Sequence, residues 1–120
     1  MVLQPEELVR QLVVQYLLSE KGFNQNRIAL ERGLTVNGLA KRCDILIYNQ
    51  AMNPFLLVEC KAPSVKITQE VFRQIAIYNL PLNVPFLLVT NGVDTYCCEM
   101  DYDQRTFKFL AAIPDYPSSF

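Results

Sequence analysis

The chain has 120 residues, of which 51% are hydrophobic and 19% are charged, and its formal net charge is −1. This balance predicts one globular domain with a single core and excludes an intrinsically disordered chain. It also excludes the global positive charge of non-specific nucleic-acid binders, so any nucleic-acid contact must be local or assisted by a metal ion or another subunit.

Four cysteines and the absence of histidine further restrict the chemistry. No CxxC pair occurs, so the usual zinc frameworks are absent, and without histidine there is neither His-based acid–base catalysis nor a serine-type triad. Cys43 and Cys60 lie in apolar runs, while Cys97 and Cys98 are adjacent and should point to opposite sides of a strand. We therefore expect reduced, mostly buried thiols, as in a cytoplasmic protein.

The first predicted element is a helix over residues 5–21. Pro5 suits its first turn, Glu6 and Glu7 complement the helix dipole there, and Gly22 is a natural stop. Apolar residues recur at helical spacing and predict a buried stripe that comprises Leu8, Leu12 and Tyr16 with Val9 and Val13.

No contact with a membrane is expected. The helix begins so close to Met1 that no signal peptide is visible, and no apolar run approaches the ~20 residues that span a bilayer. We expect a cytoplasmic location.

Three strands are predicted to follow the first helix, over residues 28–36, 41–48 and 54–61. Asn37-Gly38 is a strong turn signal between the first two. The last two runs are almost wholly apolar, which indicates strands covered on both faces.

A second helix is predicted from Thr68 to about Asn79. Thr68 can cap it, and Ile67 can pack against Phe72 as a hydrophobic staple. Further strands are predicted over residues 85–90, 94–100 and 105–110, with Asn91-Gly92 as a turn between the first two rather than a site. A strand, a crossover helix and a second buried strand predict a parallel pair.

These elements predict an α/β fold, with a mixed sheet of five to six strands between helical layers. We expect one domain over residues 1–113 and an irregular tail over residues 114–120.

Three charged residues interrupt the two apolar strands in the middle of the chain: Asp44, Glu59 and Lys61. Side chains alternate along a strand, so Glu59 and Lys61 should share a face with Phe55 and Leu57, at the carboxyl end where α/β sheets place their sites. If the two strands are neighbours, the three groups converge.

Two carboxylates at one point make a hard oxygen site of the kind that Mg²⁺ or Mn²⁺ prefers, and the Cys60 carbonyl could supply a further ligand. Lys61 could then hold the attacking water and offset charge on a phosphate. The alternative is a plain ion network, with Asp44 paired to Arg42 or Lys61 and Glu59 paired to Lys61.

Asp44…Glu59-Cys60-Lys61 between two apolar strands resembles the PD-(D/E)xK nuclease superfamily. The wider pattern resembles one branch, the N-terminal nuclease domain of type I restriction enzyme restriction (R) subunits. The segments that carry this likeness are residues 5–11, Lys41-Arg42-Cys43-Asp44, Val58-Glu59-Cys60-Lys61-Ala62-Pro63, Gln74-x-x-x-Tyr78 and Thr90-Asn91-Gly92. Together, these segments make the resemblance specific, and it implies a restriction-endonuclease-like fold and the activity of a metal-dependent deoxyribonuclease.

The resemblance also implies roles for individual residues. Asp44 and Glu59 would bind Mg²⁺ or Mn²⁺, and Lys61 would be the catalytic lysine. A Glu of the first helix joins the metal site in related nucleases, which points to Glu7, or to Glu6 in its place. The alternative for Glu7 is stabilisation of the helix end.

Gln74 and Tyr78 resemble the Gln-x-x-x-Tyr element of RecB-like nucleases, which lies beside the metal site and orients catalytic groups or DNA. Four residues apart on a helix, they share one face; the alternative is a core Tyr with Gln at its rim. Glu31 is a minor candidate for the site. Arg42 is either a phosphate contact or the partner of Asp44.

In the family that this chain resembles, the nuclease portion precedes a large ATP-driven translocase. No Gly-rich Lys-Ser/Thr loop occurs in these 120 residues, so ATP use is not implied. DNA is the expected partner, together with other restriction-modification or helicase subunits, and a double-strand cut would favour a homodimer.

Two other functions are compatible with the sequence. One is a catalytically silent nuclease-like module that binds nucleic acid or a partner protein; the intact Asp44, Glu59 and Lys61 argue against silence, and the missing basic patch argues against strong independent binding of DNA. The other is a protein-interaction domain whose apolar tail, ending in Phe120, is the interface.

Overall fold

The computed structural model describes residues 4–36 and 39–117, with the backbone alone for 31–36 and 39–43. The described elements follow the predicted order, with bounds that differ by one or two residues. They are α1 (Pro5–Ser19), β1 (Ile28–Val36), β2 (Leu39–Tyr48), β3 (Pro54–Cys60), α2 (Gln69–Asn79), β4 (Phe86–Thr90), β5 (Thr95–Asp101) and β6 (Thr106–Leu110), with 3₁₀ turns at Gln25–Arg27 and Leu80–Leu82. The predicted Asn37-Gly38 turn and Phe120 lie outside the described residues.

The strands form one six-stranded mixed sheet in the order β1-β2-β3-β4-β5-β6. β3 and β4 are parallel, and α2 lies between them in the chain. The other neighbouring strands are antiparallel. The predicted parallel pair with its helical crossover is therefore confirmed.

Each face of the sheet carries its own apolar core. On one face Leu57 and Leu87 pack with Phe72 of α2, and on the other Val58 and Leu88 pack with Leu17 of α1. These residues are at most 2% exposed, which explains why β3 and β4 read as continuous apolar runs. The α/β/α layering predicted from the sequence is confirmed.

α1 packs on the sheet through only part of the predicted apolar stripe. Val9 and Leu17 are buried, and Val13 packs beside them. Leu8, Leu12 and Tyr16 are each about half exposed. Two adjacent apolar rows follow the same helical period, so periodicity alone does not determine which of them packs.

The start of α2 is built as the sequence predicts. The Thr68 side chain accepts a hydrogen bond from the Val71 amide at 3.1 Å. Ile67 and Phe72, on either side of this cap, are both buried in the same core. The cap and the staple fix the path by which the chain leaves the end of β3 and enters α2.

A β-bulge corrects the predicted direction of Phe55. The register of β2 with β3 shifts by one residue between Ile47–Leu56 and Tyr48–Pro54, so Phe55 is the extra residue. Phe55 consequently packs with Leu56 on the α1 face, whereas Leu57 faces α2. Beyond the bulge the alternation is regular, so the bulge does not change the direction of Glu59.

The three cysteines with described side chains are free and buried. Cys97 packs on the α1 face and Cys98 on the α2 face, as their adjacency predicts. Burial is the main cause that raises the pKa of the Cys97 thiol to about 11 and that of Cys98 to about 12. Neither thiol is suited to act as a nucleophile.

Residues 111–117 contain neither helix nor strand, but they are held against the body of the protein. Tyr116 donates a hydrogen bond to the Tyr48 carbonyl at 2.9 Å and packs edge-on against Phe23. Lys21 forms an ion pair with Asp115 at 2.8 Å. The predicted domain boundary at residue 113 stays a prediction.

Among the described residues, no helix has the length and apolar content needed to cross a bilayer.

Candidate active site

Asp44 and Glu59 lie opposite each other on neighbouring strands, where the pairing of β2 with β3 ends. The described ladder stops at Ile45–Val58, and Asp44 and Glu59 are the next residues in that register. The Oδ2 atom of Asp44 accepts a hydrogen bond from the backbone N–H of Cys60 at 2.6 Å. A side chain thus replaces the next backbone acceptor and holds the Asp44 carboxylate against the end of β3.

Both carboxylates point to the α2 face of the sheet. Leu46 and Tyr48, which alternate with Asp44, pack in the α2-side core, as does Leu57, which precedes Glu59 by two residues. Glu59 is half-buried and Cys60, between the site residues, is buried on the other face. The convergence expected from the sequence is therefore present in the strand register.

Lys61 follows directly after β3 and is fixed through its backbone. Its N–H donates to the Thr90 carbonyl at 2.8 Å, which continues the parallel pairing with β4 past the end of the strand. The side chain is half-buried. Its position two residues after Glu59 places its charge where it acts on that carboxyl group.

The electrostatics of Glu59 show how closely the three groups interact. Burial, followed by the charge of Asp44, raises the pKa of Glu59 from 4.5 to about 7, and Lys61 acts in the opposite direction. Yet within the described side chains none of the three forms an ion pair. The Arg42 side chain lies outside those described. Among the side chains that the structure describes, Asp44, Glu59 and Lys61 therefore form no closed ion network.

A divalent cation fits this arrangement. Among the described residues, no group of three His, Cys, Asp or Glu side chains is gathered for a metal, so the protein offers two carboxylates here. Mg²⁺ is usually bound by one or two carboxylates, with waters and substrate phosphates completing its octahedron. The carboxylates of Asp44 and Glu59, with the Cys60 carbonyl as an additional oxygen, match that donor set.

Glu7 is held by an ion pair with Arg10 of the same helix, and Glu6 is exposed. The Arg10 side chain is only 12% exposed. It lies near Cys60: burial and the charges of Asp44 and Glu59 raise the pKa of that thiol to about 12, and Arg10 opposes the rise. Glu7 as a metal ligand stays a prediction, because it would have to exchange Arg10 for the ion.

Gln74 and Tyr78 both lie on an exposed side of α2. The residues of α2 that face the sheet are Phe72, Ala76 and Asn79. Tyr78 is therefore not a core tyrosine, and its role beside the site stays a prediction. Glu31 and Arg42 lie on β1 and β2, but their side chains are outside those described.

Thr90 and Asn91 form a clamp on the segment that follows β3, which the sequence did not predict. The Thr90 carbonyl accepts the hydrogen bond from the Lys61 amide. Asn91 is buried; its Nδ2 donates to the Val65 carbonyl at 2.8 Å, and its Oδ1 accepts from the backbone amides of Val93 and Asp94. It therefore joins the β4–β5 turn to the segment after Lys61. The Asn-Gly pair predicted the turn correctly, but nothing in the local sequence indicated the bond to Val65.

Gly92 completes this turn with a φ of +89°, a conformation that favours glycine. A Cβ atom there would lie 3.4 Å from Cγ2 of Val9. α1 thus packs directly on the turn, which connects the first helix to the end of the sheet that carries the site.

Comparison with known proteins agrees with this architecture. No curated protein matches the sequence. Residues 5–114 match the family described as type I restriction enzyme R protein N terminus. Among solved structures, a fragment provisionally assigned as an HsdR subunit of a type I restriction enzyme from Vibrio vulnificus YJ016 is similar, with a TM-score of 0.57 and 25% identity. The match covers 96% of this chain and 24% of that one. By its fold and by the match over nearly its whole length, the chain belongs to the family of type I restriction enzyme R protein N-terminal domains.

Proposed function

We propose that this chain is a metal-dependent nuclease domain that hydrolyses phosphodiester bonds of DNA. Asp44 and Glu59 would bind Mg²⁺, or Mn²⁺ in its place, and Lys61 would assist the attack of water. The observation that supports this most strongly is the register: the two carboxylates lie opposite each other where the β2–β3 ladder ends, and Lys61 follows two residues later.

Each residue has a separate task in this proposal. Asp44 is oriented by the Cys60 amide, which leaves its other oxygen for the metal. Glu59 supplies the second carboxylate, and the bound ion would lower the pKa of water and stabilise charge on the phosphate. The Lys61 ammonium would position the attacking water and offset charge that develops on the phosphate oxygens. Gln74, Tyr78 and Glu7 would act as supporting residues that orient DNA or metal-bound water.

The proposal extends to the substrate, the partners and the location of the protein. Membership in the R-subunit family supports DNA as the substrate, other restriction-modification or helicase subunits as partners, and a cytoplasmic location. A homodimer would supply the second site needed for a double-strand cut.

A cleavage assay tests the proposal. The purified chain is incubated with single- and double-stranded DNA in Mg²⁺, in Mn²⁺ and in EDTA, beside Asp44→Asn and Lys61→Ala. We expect metal-dependent cleavage that falls by a factor of about 100 or more in both variants. Asp103→Asn and Lys108→Ala, which remove the same charges from exposed residues near β6, should cut like the unmodified chain.

One observation favours a second function, a silent nuclease-like module that binds nucleic acid or a partner protein. Glu7 is paired with Arg10, and the described residues offer no third side-chain ligand. Under this alternative the chain binds DNA but cuts nothing, whichever divalent ion is added.

A further inference from the structure

A groove separate from the carboxylate site runs between α2 and the edge strand β6. Its volume is about 670 Å³, within the range of pockets that bind small ligands. A smaller cavity of about 270 Å³ adjoins it and shares Thr68, Gln69 and Phe109 with it. The residues that matter for its chemistry are Arg73, Arg105, Phe107 and Phe109, with Tyr96 in the adjoining cavity.

Two arginines, Arg73 and Arg105, line the groove. Among the described residues, neither Arg73 nor Arg105 forms an ion pair or a side-chain hydrogen bond. Glu70 also lines the groove, so its local formal charge is positive by one. A guanidinium offers a planar fork of donors that matches phosphate oxygens. A locally positive groove is thus present in a chain whose net charge is −1.

The backbone at Arg105 is strained. Its φ is +53°, in the left-handed region, in the turn that joins β5 to β6. Glycine or asparagine is favoured at such a position because a Cβ atom there is crowded. Residues held in this conformation are concentrated at functional sites. The turn therefore places an arginine, rather than a residue that suits this backbone conformation, in the lining of the groove.

Exposed aromatic rings line the groove and the cavity that adjoins it. Phe109 is 44% exposed and Tyr96 39% exposed. Phe109 packs on Phe72 with a centroid distance of 4.9 Å, which fixes the orientation of its ring. Rigid, partly exposed rings next to cations are the combination by which proteins hold single-stranded nucleic acid, with bases stacked on rings and phosphates on arginines.

We propose that this groove binds a single strand of DNA, with Arg73 and Arg105 on its phosphates and a base stacked on Phe109 beside Tyr96. The proposal rests on the proposed function, in that the ligand is the proposed substrate. The groove lies on a different side of α2 from Gln74 and Tyr78. Arg73 and Ile77 line the groove, and Gln74 and Tyr78 are the residues that follow them, which lie about 100° further around the helix. The strand would thus be held outside the carboxylate site, since Arg105 lies at the opposite end of the sheet from Glu59.

Binding is tested by fluorescence anisotropy of a labelled oligothymidylate in EDTA, so that no cleavage occurs. Arg105→Gly should weaken binding about tenfold, as should Arg73→Ala and Phe109→Ala. Lys108→Ala is the matched control: it removes one positive charge from β6 but lines a different cavity, and it should bind like the unmodified chain.

Arg105→Gly separates binding from folding. Glycine relieves the left-handed strain, so the melting temperature should rise by a few degrees while binding weakens. If Arg105 served only the fold, its replacement would not raise the melting temperature and weaken binding at the same time. An oligonucleotide of abasic sites should bind the unmodified chain more weakly than oligothymidylate, and Phe109→Ala should remove that difference.

Equal affinity of Arg105→Gly and the unmodified chain would overturn the proposal, as would competition by polyglutamate as effective as that by oligothymidylate. The latter result would assign the groove to an acidic protein partner. A chain that binds oligothymidylate as described but cuts nothing would contradict the proposed function alone. A chain that cuts DNA while the groove variants bind normally would contradict the groove alone.

Discussion

Glu59 affects both the stability of the fold and the proposed chemistry. It is partly withdrawn from water and faces another carboxylate, so its ionised form is disfavoured and its pKa rises to about 7. The hydrogen bond from the Cys60 amide holds Asp44 in place to exert this effect. A divalent cation between the two carboxylates would remove the penalty, because the ion favours the charged form.

The elevated pKa of Glu59 predicts how stability depends on pH without metal. Between pH 4.5 and about 7 the folded chain keeps a proton that the unfolded chain has lost, so the free energy of unfolding should fall as pH rises through this window. The loss is at most about 3 kcal/mol. Glu59→Gln should match the unmodified chain at pH 4.5 and exceed it at pH 8, in urea unfolding at each pH. Parallel pH profiles for the two proteins would contradict this account.

The Glu7–Arg10 pair predicts a coupling within α1. Arg10 is 12% exposed and Glu7 28%, so removal of the arginine leaves a partly buried carboxylate without its partner. Arg10→Ala should lower the free energy of unfolding by about 1–3 kcal/mol, and Arg10→Ala with Glu7→Gln should recover part of that loss. A double-mutant cycle in urea measures the coupling, and additive effects would show that the pair does not stabilise the helix.

At the scale of elements, the site is held by the chain that surrounds the end of β3. The Lys61 amide bonds to Thr90, and Asn91 bonds to Val65. These contacts join the segment between β3 and α2 to the turn between β4 and β5. The position of Lys61 therefore depends on residues about thirty positions later in the chain.

Removal of this clamp should loosen the segment after Lys61. Asn91→Ala deletes one donated and two accepted hydrogen bonds of a buried side chain, and should lower the free energy of unfolding by about 2–3 kcal/mol. Amide hydrogen exchange should become faster in residues 61–68. Asn26→Ala, at an exposed asparagine, is the control and should change neither quantity. Unchanged exchange in residues 61–68 would show that the clamp does not hold them.

The same elements show what could be predicted from the sequence. The order of helices and strands, the parallel β3–β4 pair and the α2 cap follow from local signals such as apolar runs and Thr68. The buried row of α1 and the bulge at Phe55 do not, because they depend on how one element packs against another. The proximity of Asp44 to Glu59 could be predicted because it depends only on neighbouring strands, whereas the Asn91–Val65 and Glu7–Arg10 contacts depend on tertiary packing and on the choice of rotamer.

At the scale of the whole molecule, the chain spans about a quarter of the HsdR fragment that it resembles. It contributes one sheet and one proposed site. One site can break one strand of a duplex at a time, so a double-strand cut requires a second copy or a second event.

The proposed nuclease should therefore nick before it linearises. With supercoiled plasmid and Mg²⁺, the open circle should appear first and linear DNA should follow. The rate at which linear DNA forms should increase more than linearly with protein concentration. Agarose gels of a time course measure both products. Linear DNA as the first product at the lowest protein concentration would instead indicate a preformed assembly with two sites.

The proposed nuclease requires Asp44 and Glu59 to hold a divalent cation together. Crystals of the chain soaked in Mn²⁺ at pH 8, where Glu59 is ionised, provide the most direct test through the anomalous scattering of manganese. We predict one strong anomalous peak between the two carboxylates, within bonding distance of both, and its loss in Asp44→Asn. No peak there, or an equal peak in the variant, would contradict the account.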